Sequence, residues 1–333
     1  MGTLEMQKPE LFTRSELEST AKWVKGELGE TPTRHWPLLS DRLGTEVWVK
    51  HENHGLTGSF KVRGGLFYLA KKRREDPTLK TVVAATRGNH GQSVALAASR
   101  LGLNSLIIVP KNNNPEKNAS MVSLGTSLVE VGQDFQEAYE YARNKAALEG
   151  WHLVPSFDLD LLPGVASYAI EFFRDAPSLD VVYVPVGLGS GICSVAAARD
   201  ALGLRTRIIG VVSSGAPAYA HSFEQKKVVE TGMPETLADG LAVRVPDPQA
   251  LGLILKRVEK IVQVNDDQVA HAMSCYFTDT HNIAEGAGAA PLAAALVERE
   301  ENAGNRVGLV LSGGNVDRDT YVSVLESQIK RLV

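Results

Sequence analysis

In the stretch Thr57-Gly58-Ser59-Phe60-Lys61-Val62-Arg63-Gly64-Gly65, one lysine stands where a helix begins. Residues 45–52 before it read as a strand, and Asn53-His54-Gly55 breaks that strand. Residues 60–72 then carry helical spacing, with apolar Phe60, Val62, Leu66, Phe67 and Leu69. Ser59 is the expected N-cap, which puts Lys61 in the first turn, where the positive end of the helix dipole disfavours another cation. An amine so placed is expected to have a lowered pKa, toward the neutral form that condenses with carbonyls. The ordinary alternative is a surface lysine on an amphipathic helix. The loops that accompany Lys61 separate the two readings.

Thr86-Arg87-Gly88-Asn89-His90-Gly91-Gln92 is a strand-to-helix turn whose glycines let backbone N–H groups approach an anion. Gly187-Leu188-Gly189-Ser190-Gly191 lies between a strand and a helix, and a glycine-rich turn at a helix N-terminus is a phosphate cup. Ser312-Gly313-Gly314-Asn315 ends the last strand. The cup does not match a dinucleotide site: Gly-x-Gly-x-x-Gly needs glycine where Ile192 stands, and Val211-Val212-Ser213-Ser214 lacks the acid that holds a ribose. A triphosphate loop of the Gly-x-x-x-x-Gly-Lys-Ser/Thr kind does not occur. A small phosphate monoester fits better, with a purely structural turn as the alternative. A reactive lysine together with a monophosphate cup suggests pyridoxal phosphate, whose ring is an electron sink for a carbanion at the substrate Cα. A hydroxyl such as that of Ser312 would leave the pyridine nitrogen largely neutral, which suits elimination better than transamination.

The elements that must hold these loops alternate along the chain. Strands are expected at 45–52, 81–86, 105–110, 127–131, 152–154, 181–186, 207–213, 260–264 and 306–312, and helices between them at 92–101, 134–149, 192–202, 266–278, 287–300 and 317–331. Runs apolar throughout, such as 181–186, belong to parallel strands covered on both faces. The pattern predicts an open, doubly wound α/β protein with two sheets and ligands at the carboxyl ends of the strands. It restarts near Val154-Pro155-Ser156-Phe157-Asp158. Residues 1–55 and 156–333 are therefore expected to form a large cofactor-binding domain, and 56–155 a small substrate-loop domain.

The 333 residues are 44% apolar and 22% charged, as in a soluble globular protein. A net charge of −4 and a pI near 6.1 argue against nucleic acid or an anionic membrane as the main partner. Lys71-Lys72-Arg73-Arg74 runs straight into Glu75-Asp76 and reads as a solvated helix end. No apolar run approaches the roughly 20 residues that span a bilayer. Residues 1–8 have no apolar signal core, and Gly2 lacks the Ser/Thr of a myristoylation site. Cys193 and Cys275 have no metal-ligand spacing and are expected to be reduced, in packed helices. A cytoplasmic location is expected.

Ser59-Phe60-Lys61-Val62-Arg63-Gly64, Gly88-Asn89-His90-Gly91-Gln92, the glycine loop at 187–191, Ala238-Asp239-Gly240 and Ser312-Gly313-Gly314-Asn315 occur in an order and spacing that resembles the threonine/serine dehydratase–serine racemase family. These are fold-type II pyridoxal-phosphate enzymes, related to the tryptophan synthase β chain, and the likeness runs from about residue 15 to the C-terminus. The resemblance implies that Lys61 is the Schiff-base lysine and that Phe60 packs beside the ring. It implies that Asn89 bonds the phenolic oxygen and that Gly187, Leu188, Gly189, Ser190 and Gly191 hold the phosphate. Gly240 would complete the cofactor site, and Ser312 would face the pyridine nitrogen. The substrate carboxylate would dock on Ser59 and the loop of Thr86, Arg87, Asn89 and His90. Homodimers or homotetramers are usual in the family. No separate regulatory module follows Val333, so effector control of that kind is not expected.

Three positions depart from the family pattern. Its racemases carry a serine before Gly-Asn-His-Gly to handle the second proton, and here Arg87 stands there. A guanidinium is no base at neutral pH, so racemisation should be weak. Arg87 can instead clamp a second anionic group on the substrate, or it points away and pairs with a surface acid. The phosphate loop, usually four glycines, is interrupted by Leu188 and Ser190, and the latter adds a hydroxyl donor. The loop Ser213-Ser214-Gly215-Ala216-Pro217-Ala218-Tyr219 has no carboxylate where relatives ligate a cation, so no metal is expected there. The reaction expected is β-elimination of a hydroxy-amino acid such as L-threonine or L-serine. The alternatives are a dehydratase for β-hydroxyaspartate or another specialised 3-hydroxy-amino acid, then a racemase, and, in another class, a non-catalytic nucleotide- or metabolite-binding protein on an α/β scaffold.

Overall fold

The computed structural model describes residues 11–329. The readings of residues 1–8 and of a helix reaching residue 331 lie outside that range. The strands are β1 (Thr33–His35), β2 (Glu46–His51), β3 (Thr81–Ala85), β4 (Asn104–Val109), β5 (Ser127–Glu130), β6 (His152–Leu153), β7 (Val181–Pro185), β8 (Arg207–Ser213), β9 (Lys260–Val264) and β10 (Arg306–Leu311). They form a six-stranded sheet, β1-β2-β10-β7-β8-β9, and a four-stranded sheet, β5-β4-β3-β6. All pairs are parallel except β1 with β2. The nine expected strands are present with ends shifted by a residue or two. The strand missing from the expectation is β1, a polar three-residue edge with too few residues to show a period.

The apolar runs of the large sheet follow from burial on both faces. Val181 and Tyr183 belong to one core, while their neighbours Val182 and Val184 belong to the opposite one. Both small-sheet faces are covered likewise, with Val82 and Ala84 in one cluster and Val83 and Ala85 in another.

The helix Lys61–Glu75 crosses the helix Leu162–Asp175 between the two sheets. The backbones approach so closely that a Cβ on Gly64 would stand 2.6 Å from Val165 Cγ2, which accounts for glycine in an otherwise helical run. The same crossing buries charge. Arg63 donates to Glu52 Oε2 at 2.7 Å and to Glu171 Oε1 at 2.7 Å, and Lys50 Nζ lies 2.5 Å from Glu171 Oε2. All four side chains are buried, and the remaining donors reach Thr31 and Ser167, so the group is compensated internally.

Candidate active site

The chain enters the helix Lys61–Glu75 from a short pairing with the end of β10. Ser59 bridges Gly313, the Phe60 N–H donates to the Ser312 carbonyl at 3.1 Å, and the Gly314 N–H donates to the Gly58 carbonyl at 2.9 Å. This pairing corrects the expected cap. Phe60, not Ser59, is the N-cap residue, and it makes no side-chain cap bond. Held in extended backbone by β10, Ser59 cannot turn its oxygen onto the helix, and its buried hydroxyl has no hydrogen-bond partner among the described residues.

Lys61 is the first residue of the helix. Its Nζ lies 3.4 Å from Ser190 Oγ and 5.2 Å from the Phe60 ring centroid. Its pKa is lowered from 10.5 to about 8, by burial first and foremost, with the nearby Glu285 carboxylate opposing. The direction is the one expected, but desolvation rather than the helix dipole is the main cause.

Gly187-Leu188-Gly189 links β7 to the helix Ser190–Ala201, with Gly189 at φ +105° as its N-cap. A Cβ on Gly187 would lie 2.4 Å from the Gly240 carbonyl oxygen, so these two turns can touch only through glycine. Tyr219 donates to the Leu188 carbonyl at 2.9 Å and fixes the loop from below. The first N–H groups of the helix, at Ser190 and Gly191, are left for an anion.

On the small sheet, Thr86 Oγ1 accepts the N–H groups of Gly88 at 3.0 Å and Gly91 at 3.2 Å, which shapes the turn after β3. Asn89 opens the helix Asn89–Arg100. Its Nδ2 donates to both Glu285 oxygens at 2.8 and 3.1 Å, and its Oδ1 accepts from Asn315 Nδ2 at 2.8 Å. His90 is buried beside the Val154 carbonyl, and its pKa falls to about 4 through burial and then Lys61, so it is neutral at pH 7. Arg87 is exposed and lines the cavity; it makes no ion pair with a surface acid among the described residues.

These loops enclose one cavity of about 360 Å³ between the sheets. Phe60, Lys61, Thr86, Arg87, Asn89, His90, Gly187, Leu188, Gly189, Ser190, Gly191, Gly240 and Ser312 all line it, whereas Ser59 lies just behind the lining. Sequence reasoning missed Glu285, a buried carboxyl raised to about 7 by burial and opposed by Lys117 and Asn89. Its one signal was a glutamate directly before the small-residue helix Gly286–Val297. Cys193 and Cys275 are free and buried, in the helices Ser190–Ala201 and Asp266–Thr280.

A half-buried amine of lowered pKa, set against a glycine cup whose Gly187 packs directly on the Gly240 carbonyl, fits the aldehyde and phosphate of pyridoxal phosphate. The site and the two parallel sheets define a fold-type II pyridoxal-phosphate enzyme. The chain belongs to the pyridoxal-phosphate dependent enzyme family, whose model matches residues 24–313. It is 35% identical over 304 residues to an L-threonine ammonia-lyase of Geobacter sulfurreducens, covering 91% of this chain and 75% of that protein. It is 29% identical to an L-threo-3-hydroxyaspartate ammonia-lyase of Saccharomyces cerevisiae, covering 92% and 94% of the two chains. Among solved structures, threonine deaminase isoform 2 from Solanum lycopersicum matches with a TM-score of 0.88 and 28% identity, over 100% of this chain and 93% of that one.

Proposed function

We propose that this chain is a pyridoxal-phosphate-dependent ammonia-lyase that converts a 3-hydroxy amino acid, such as L-threonine or L-serine, to a 2-oxo acid and ammonia by β-elimination. The observation that carries this reading is the Lys61 amine, 3.4 Å from the Ser190 hydroxyl of the glycine cup and lowered to about 8. The relatives named above support it. Lys61 would hold the cofactor covalently, the N–H groups of 187–191 its phosphate, Asn89 its phenolic oxygen and Ser312 its ring nitrogen, with Phe60 and Gly240 closing the sides. When bound, the cofactor supplies an electron sink for charge developing at Cα.

The protein's own groups do the rest. The N–H groups of Arg87, Asn89 and His90 receive the substrate carboxylate, and the unpartnered Ser59 hydroxyl joins them once it turns toward the cavity. The Lys61 amine, roughly a tenth unprotonated at pH 7, takes the proton from Cα. The β-hydroxyl departs with a proton as water, and the released enamine reacts with water to give the 2-oxo acid and ammonia. His90 is neutral and Arg87 is a permanent cation, so neither can return a proton to the opposite face of Cα. Elimination is therefore favoured over racemisation.

The same reading takes 1–55 with 156–333 as the cofactor domain, 56–155 as the substrate-loop domain, and the active form as a cytoplasmic homodimer or homotetramer. The test is to offer purified holoenzyme L-threonine, L-serine and 3-hydroxyaspartate and to follow 2-oxo acid. Product from at least one is expected; none from any, at full cofactor occupancy, overturns the reading. Lys61→Ala should also lose the visible absorbance near about 410 nm that lysine-linked pyridoxal phosphate shows.

A further inference from the structure

We propose that the cavity is built for a 3-hydroxy amino acid whose side chain ends in a second carboxylate, received by Arg87 and Arg244; this rests on the β-elimination reading above. The cavity is lined by four cationic side chains, Lys61, Arg87, Lys117 and Arg244, and three carboxylates, Asp134, Asp239 and Glu285. Every one of the carboxylates is already engaged. Asp239 accepts from Lys117 Nζ at 2.6 Å. Glu285 accepts both bonds from Asn89. Asp134 caps the helix Phe135–Glu149, accepting the Glu137 N–H at 2.9 Å.

The guanidiniums are not engaged in this way. Arg87 follows β3 of the small sheet, and Arg244 follows the turn Asp239–Leu241 on the large-sheet side. Both line the cavity, both are exposed, and neither makes an ion pair among the described residues. Two arginines thus line one cavity from its two sides, and neither has an acidic partner among the described residues. The methyl of threonine or the bare Cβ of serine offers them nothing, whereas a carboxylate accepts two parallel N–H bonds from such a fork. The α-carboxylate does not need them, because the turn 86–90 supplies N–H donors of its own. A residual positive charge at the mouth also draws inward a substrate of net charge −1 in preference to the net-neutral serine or threonine.

A charge-assisted bond made at a solvent-accessible site is worth about a tenfold preference or more. For the holoenzyme, kcat/KM for L-threo- or erythro-3-hydroxyaspartate should exceed that for L-threonine and L-serine at least tenfold. In Arg87→Gln and in Arg244→Gln, the ratio of kcat/KM for 3-hydroxyaspartate to that for L-serine should fall about tenfold. A binding readout needs no turnover: by calorimetry, holoenzyme should bind succinate at least tenfold more tightly than butyrate, which lacks the second carboxylate. Turnover of L-threonine or L-serine at least as efficient as that of 3-hydroxyaspartate, with succinate and butyrate bound alike, overturns this inference and leaves β-elimination standing. Failure of all three substrates overturns the underlying reading instead.

Discussion

Replacing Lys61 with methionine should make the cofactor-free protein more stable at neutral pH, although it removes the central amine. The amine titrates at about 8 rather than 10.5 because burial strips it of water, so the folded state holds it at a disadvantage whenever it is charged. At 1.36 kcal/mol per pH unit, that displacement corresponds to about 3 kcal/mol, trimmed toward 2 because the residue is only partly buried. The sign follows from proton counting. Between pH 8 and 10.5 the unfolded chain keeps the proton that the folded chain has lost, so stability rises with pH in that window. Below pH 8 the penalty is fully present, and above 10.5 it has vanished. Urea denaturation of apoprotein, wild type against Lys61→Met, should therefore show a variant advantage at pH 7 that shrinks by about 2–3 kcal/mol by pH 10.5. Packing differences between lysine and methionine move both ends of this comparison equally, so the pH dependence is the diagnostic. A difference constant from pH 7 to 10.5 would refute a desolvated Lys61.

Two other substitutions probe the frame around that amine. Gly187→Ala places a Cβ 2.4 Å from the Gly240 carbonyl, where backbone must shift, and should weaken pyridoxal-phosphate binding by about tenfold or more. Fluorescence titration of the apoprotein checks it, and affinity within twofold of wild type speaks against a cup shaped by that contact. Arg63→Met strands Glu52 and Glu171 without their shared guanidinium and should destabilise the protein by about 3–5 kcal/mol, read as a lowered denaturation midpoint at unchanged slope. An unchanged midpoint there would show that the buried group contributes nothing net.

Local signals carried most of what could be read from the sequence. The strands of the large sheet are legible because β-branched runs buried on two faces have few other uses, and the glycine loops because each is compact and sits at a strand end. What escaped depends on contacts between distant segments. Glu285 meets Asn89 across 196 positions, and Asn315 meets it across 226, so no window contains the Asn89–Glu285–Asn315 chain. Ser59 looks like a cap locally, yet pairing with Gly313 takes its backbone and leaves the role to Phe60. The helix Leu162–Asp175 was not among those expected either, although its amphipathic run and the Pro163 at its start were local signals that could have placed it.

The buried charges at the start of the helix Lys61–Glu75 have a mechanical consequence. Arg63 is anchored to Glu52, just beyond β2, and to Glu171, while Phe60 is bonded to the end of β10. Lys61 thus stands on both sheets: these contacts tie its backbone to the large one, while Ser93 of the helix Asn89–Arg100 donates to its carbonyl at 2.7 Å. The turn carrying Arg87 and Asn89 grows from β3 and is tied across the cleft by the two Asn89–Glu285 bonds, the Asn315–Asn89 bond and the Lys117–Asp239 pair. A tilt of the small sheet would thus break those tethers, swing the substrate-facing turn aside and pull on Lys61 through Ser93. Admission of substrate and alignment of the reacting nitrogen are therefore coupled, through the Ser93 hydroxyl that joins the two helix starts.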